Sequence, residues 1–137
     1  MKKIVLLTTC FVFAIVFVNA QVMNAKMEWL TIKSANLKCW VCKEKLMNYL
    51  KTENAMNMQN GMTDYRFNLL QGEIKIFYHP DRVSADEIKT AINNAGFDAD
   101  STRAEPDAYK KLPPICKRVE DGGGPTKGKP CHIPPNN

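Results

Sequence analysis

Residues 37–50 read Leu-Lys-Cys-Trp-Val-Cys-Lys-Glu-Lys-Leu-Met-Asn-Tyr-Leu, and across them the period of the apolar positions changes. Upstream, Leu30, Ile32 and Ser34 alternate with Trp29, Thr31 and Lys33, the pattern of a strand with one buried face. Downstream, Cys42, Leu46, Tyr49 and Leu50 fall on one face of a helix. Cys39 and Cys42 therefore stand at a strand-to-helix junction, two thiols separated by two residues.

The next elements follow from the same periodicities. Gly61 interrupts a polar stretch, and Tyr65, Phe67 and Leu69 then alternate as a second strand. Gln71-Gly72 makes a turn into a third strand carrying Ile74, Ile76 and Tyr78, so residues 63–78 form a hairpin. Pro80 ends that strand, because proline cannot donate to the ladder. Ser84 with Glu87 is a capping-box pair. Ile88, Ala91, Ile92 and Ala95 supply the stripe of a second helix, and Gly96 stands where a left-handed cap belongs. Phe97 opens a short fourth strand to about Ala99. The expected fold class is α+β, a ferredoxin-like βαββαβ sandwich: a four-stranded antiparallel sheet with two helices on one face, plus an irregular C-terminal tail.

The flanks differ in character. Lys2 and Lys3 precede an apolar run from Ile4 to Val18, and Ala20 offers a small residue before Gln21. That is the layout of a secretory signal peptide over residues 1–20, too short for a comfortable membrane span. Cys10 lies inside the run after Thr9, a poor setting for lipidation. The expected organisation is a signal peptide at 1–20, a folded domain at 26–99 and a Pro/Gly-rich, Cys-containing tail at 100–137. The tail reads as largely extended, with a helical turn at Ala108–Leu112 packed on the domain. Export to the periplasm or secretion follows, with no stable membrane insertion once the signal is removed.

The formal charge of +5 falls by two when Lys2 and Lys3 leave. A mildly basic chain with no arginine run and no interleaved aromatic stripe gives nucleic-acid binding no support. No serine or cysteine nucleophile with a matching histidine base is visible, and no clustered carboxylates, so the chain is not expected to be an enzyme.

Four cysteines remain after the signal: Cys39, Cys42, Cys116 and Cys131. An even count in an exported chain suggests disulfides, either within the Cys39/Cys42 pair or closing a short tail loop from Cys116 to Cys131. The chemistry of the junction offers a second reading. Unpaired amides at the start of the helix, with Lys38, Lys43 and Lys45 nearby, favour thiolate over thiol. Thiolates prefer soft ions. Cys116, with Cys131 or His132, is a candidate for folding back to complete such a site. A thiol–disulfide oxidoreductase using Cys39 and Cys42 is a third reading, though a thioredoxin fold requires more strands after the motif. Met56, Met58 and Met62 read first as core filler, His79 as a solvated strand-end residue, and Trp29 as a candidate docking residue on the far sheet face.

The Cys39-x-x-Cys42 pair after a first strand, the Gly72 hairpin, Tyr78-His79-Pro80, Val83-Ser84 with Glu87-Ile88, Ile92 and Gly96-Phe97 together resemble the heavy-metal-associated domain family, over about residues 26–99. That family includes copper chaperones and the periplasmic mercury-binding protein. The resemblance implies a metal-carrying or sequestering protein with Cys39 and Cys42 as primary ligands. Cu(I) is the first expectation for the ion, with Hg(II) or Zn(II) as alternatives. The implied partner is a metal transporter or another metal-binding domain, and the implied state a monomer or a weak metal-bridged dimer. The family loop usually reads Gly-Met-x-Cys-x-x-Cys, whereas this chain has Asn36-Leu37-Lys38-Cys39. Leu37 can replace the buried methionine that supports the loop. Asn36 tolerates some glycine-like backbone conformations. Phe97 takes the position beneath the metal loop.

Overall fold

The computed structural model describes residues 26–135, so the expected signal peptide lies outside the described residues. β1 (Glu28–Lys33) leads through a loop into α1 (Trp40–Met56), β2 (Met62–Asn68), β3 (Glu73–Tyr78) and α2 (Ala85–Asn94). A short α3 (Pro106–Lys110) and 3-10 turns at Pro114–Cys116 and Val119–Asp121 follow. The sheet is antiparallel with order β1-β3-β2. Its register sets Leu30 against Ile76 and Tyr65, and Ile32 against Ile74 and Phe67. These rows face the helices because side chains alternate along each strand.

Cys42, Leu46 and Leu50, one helical turn apart, are buried on α1, and Ile88, Ala91 and Ile92 are buried on α2. Each fully buried Leu or Ile contributes about 1.5–3 kcal/mol. Met58 and Met62 join this core whereas Met56 is exposed, which places two of the three methionines as filler. Asn54 sits on the same face of α1 and is buried. Its carboxamide accepts from the Met62 N–H at 2.9 Å and donates to the Met62 carbonyl at 2.8 Å. It thereby serves the backbone where the β2 register is bulged between Met62 and Asp64. The capping box expected at α2 is complete, with Ser84 and Glu87 exchanging side-chain and backbone hydrogen bonds.

Two expectations are corrected. Among the described residues the sheet has three strands, and Phe97–Ala99 does not form the fourth. The chain reaches the edge of β1 only at Asp100, whose N–H donates to the Lys33 carbonyl at 2.8 Å and whose Oδ1 accepts from the Lys33 N–H at 3.0 Å. Asp100 has a positive φ of 54°, and Ala99 bridges back to Thr102, so the chain turns where a strand would continue. The cause is side-chain demand on this segment. Asp98 is buried and takes the Arg118 guanidinium and the Ala104 N–H, while Asn36 takes the Asp98 N–H.

The tail, expected to be largely extended, is instead packed on the domain. Ala104, Leu112, Cys116 and Arg118 are buried. The helical turn expected at Ala108–Leu112 forms two residues earlier, as α3, and Leu112 beyond its end reaches the core. Gly96, which ends α2 at φ +93°, makes room for it: a Cβ there would lie 3.0 Å from the Ala108 carbonyl oxygen.

Candidate thiol centre

Cys39 is the N-cap of α1, with extended backbone, and Cys42 stands three residues further in its first turn. The Cys39 carbonyl accepts from the N–H groups of Cys42 and Lys43, each at 3.1 Å. The first turn carries no acidic residue. Lys43 Nζ lies 3.6 Å from the centre of the Trp40 ring, and Trp40 Nε1 donates to Glu44 at 2.9 Å. The positive end of the helix therefore lies at the sulfurs, whereas Lys43 sits over the Trp40 ring and the charged side chain lining the groove beside Cys39 is Glu44.

The tail brings the other two sulfurs to this point. Cys39 is disulfide-bonded to Cys131 and Cys42 to Cys116, with Cα–Cα distances of 4.7 and 5.5 Å. Neither pairing suggested by proximity in the sequence, Cys39 with Cys42 or Cys116 with Cys131, is the one formed. The bridges close over sequence separations of 92 and 74 residues. Cys39, Cys42 and Cys116 are completely buried and Cys131 is half-buried. The Trp40 N–H donates to the Cys131 carbonyl at 2.6 Å, lashing the tail across the start of α1.

Asn36 organises the loop in front of the pair. Its Oδ1 accepts from Ser34 Oγ at 3.2 Å and from the Asp98 N–H at 3.0 Å. Its Nδ2 donates to the carbonyls of Gly96 at 3.1 Å and Cys116 at 3.0 Å. The side chain, not a glycine-like backbone, is what this position contributes. Leu37 and Phe97 are fully buried in the core cluster that also holds Cys39 and Cys42. A second lock lies in the tail. Arg118 is buried against Asp98, bonds Asp121 at 3.0 Å and stacks 4.2 Å over the Tyr109 ring. Hydrogen bonds from Arg118 to Asp98 hold the guanidinium pKa above its ordinary value, against the opposing effect of burial.

His132 does not join the sulfurs. It is half-buried and lines a separate groove with Trp40, Lys43, Met47, Tyr65 and Phe67. His79 sits at the end of β3 with Nδ1 4.0 Å from Asp81. Trp29 is on the far sheet face, stacked on Phe77 with ring centres 4.9 Å apart.

In this oxidised form every sulfur of the centre is bonded to another sulfur and supplies no thiolate, so the set does not fit a soft cation as it stands. Among the described residues no group of three or more His, Cys, Asp or Glu side chains is placed to hold a metal ion. Nor is any described helix long and apolar enough to cross a membrane. Reduction would leave four thiols gathered at one helix start. Asn36 was legible as a loop residue but not for its side-chain hydrogen bonds, and Asp98 and Arg118 were not legible as parts of this arrangement. Their only sequence signal is polarity beside apolar neighbours, which does not distinguish buried from exposed.

No family model matches the chain, and no curated protein matches it. Among solved structures it is similar to the CopZ metallochaperone, at 24% identity over 53% of this chain and 98% of that one, with a TM-score of 0.45. It is also similar to a copper-binding domain of HMA7, a P-type ATPase, at 26% identity over 53% and 89%, with a TM-score of 0.44. A copper-form CopA variant from Bacillus subtilis is similar at 19% identity over 57% and 95%, with a TM-score of 0.43.

Proposed function

We propose that this chain is an exported soft-metal-binding protein, a carrier and not an enzyme, whose cargo site is the Cys39/Cys42 thiol pair in its reduced form. The observation that carries this reading is the placement of Cys39 at the N-cap and Cys42 in the first turn of α1, with the sulfurs of Cys116 and Cys131 brought to the same point. Thiolates there are stabilised by the helix start, and sulfur donors select soft ions over hard ones. Two or three thiolates suit Cu(I), the preferred cargo in this reading. Engagement of all four would favour Zn(II), and Hg(II) is a further thiophilic candidate. Two disulfides are consistent with an oxidising compartment outside the cytosol. A transporter or a second metal-binding domain is the partner such a carrier requires.

A second reading is favoured by the bridges themselves: a binding module in which both disulfides are permanent staples and no metal is held. Titration of the fully reduced protein with Cu(I) against a competing chelator separates the two. The carrier reading predicts one ion bound and its loss in the Cys39→Ser/Cys42→Ser variant. Equal retention by both proteins removes the assignment. Repeating the titration with Cys116→Ser reports whether the tail supplies a ligand.

A further inference from the structure

The two bridges differ in access. Cys42 and Cys116 are both completely buried, whereas Cys131 is half-buried. The Cys39–Cys131 bridge lines an open groove of about 420 Å3 between the start of α1 and the tail, walled by Trp40, Val41, Ile115 and Ile133. Both sulfur-bearing residues of the inner bridge are fully buried, and Asn36, itself buried, donates to the Cys116 carbonyl. An external thiol therefore has a path to the outer bridge and none to the inner one.

We infer that Cys39–Cys131 is a thiol-exchange site through which a dithiol reductant opens both bridges in order, with Cys39 passing the reduction to Cys42. A thiolate of the reductant attacks Cys131 Sγ, the accessible sulfur. The bond to Cys39 breaks and its electron pair leaves on Cys39 Sγ. Cys39 is the departing sulfur because attack falls on the exposed end of the bridge, and Cys39 is its fully buried end. The reductant's second thiol resolves the mixed disulfide, frees Cys131 and leaves the reductant oxidised by two electrons.

Cys39 at the N-cap then sits beside Cys42 in the same first turn, the spacing at which an N-cap side chain reaches the third helical residue. Its thiolate attacks Cys42 Sγ and breaks the bond to Cys116, which leaves as a thiolate and takes a proton. This exchange consumes no electrons and forms Cys39–Cys42, now at the groove. A second equivalent of dithiol reduces it and completes four thiols. The order of events gives Cys39 and Cys42, three positions apart, a joint role even though neither is bonded to the other here. The inference rests on reading Cys39 and Cys42 as the site to be opened, and its readout requires no metal.

The test is timed reduction of the oxidised full-length mature protein with dithiothreitol, metal chelated throughout, followed by alkylation and peptide mapping. Cys131 is expected to be labelled first and Cys42 last, with a transient Cys39–Cys42 disulfide. Labelling of Cys42 with or before Cys131, or absence of the Cys39–Cys42 species, would overturn the relay. In the Cys39→Ser/Cys131→Ser variant only the inner bridge remains, and its reduction should slow at least tenfold. Loosening of the tail alone would speed it, so an equal or faster rate also refutes the relay. Because no metal is present, failure here leaves the Cu(I) titration unaffected, and failure of that titration leaves this order standing.

Discussion

The Asn36 carboxamide donates to the carbonyl of Cys116 at 3.0 Å, joining the loop before the first cysteine pair to a tail residue 80 positions later. The same amide also holds Gly96 and Asp98, so one side chain ties together the loop, the end of α2 and the inner disulfide.

Asn36→Ala should therefore destabilise the oxidised protein by about 1–3 kcal/mol, the cost of leaving buried backbone groups unpaired. Urea unfolding without reductant measures it. The same variant should expose Cys116 to reduction sooner, seen as earlier alkylation. An unchanged urea midpoint would show that water replaces the carboxamide at no cost.

Arg118→Met should cost more, about 3–5 kcal/mol, because it leaves the Asp98 carboxylate buried without its partner. The double change Asp98→Leu/Arg118→Met should recover part of that loss, since removing both charges removes the desolvation cost of each. A double-mutant cycle on thermal unfolding provides the measurement. Asp98 also accepts the Ala104 N–H, so recovery should remain incomplete.

Acid should weaken the fold through carboxylates held below their ordinary range. The Ser84 N–H and then the Ser84 hydroxyl lower the Glu87 pKa from its ordinary 4.5. At Asp121 the Tyr109 hydroxyl and then Arg118 act in the same direction. A depressed folded pKa gives stability that is complete above the unfolded value and lost as pH falls through the folded one. The urea midpoint should thus hold steady down to about pH 5 and decline below it. Glu87→Gln should make that decline shallower, and a slope identical to wild type would remove Glu87 from the account.

Complete reduction should lower stability markedly, because the bridges close long loops. Chain-entropy reasoning gives about 4 kcal/mol for a single bridge of this span, with the second adding less since the loops overlap. Thermal unfolding with and without reductant reports the difference. Cys131→Ser should retain most of the stability if the inner bridge and the buried tail residues Leu112 and Arg118 hold the tail in place.

The sequence carried the elements because periodicity is local: the alternation around Ile32, the Leu46 and Leu50 stripe and the Ser84–Glu87 cap each declare themselves within a few residues. It placed Cys39 and Cys42 at a helix start for the same reason. The fourth strand failed because Phe97–Ala99 looks like a strand locally, while Asp98 is committed to Arg118, 20 positions away. The tail was misread because proline and glycine signal chain direction and say little about what Leu112 or Cys116 is buried against. Four cysteines allow three pairings, and spacing alone favours the one that closes two short loops, Cys39–Cys42 with Cys116–Cys131. Only the packed tail selects between the two long-range alternatives.

The most direct test of the central claim, that one thiol centre is locked by two disulfides and binds a soft ion when they open, is equilibrium dialysis of Cu(I). The fully oxidised and fully reduced wild-type proteins are dialysed side by side against one competing chelator, the oxidised sample without free reductant. The account predicts one ion retained by the reduced protein and none by the oxidised one. Equal retention by the two forms, or none by either, would contradict it.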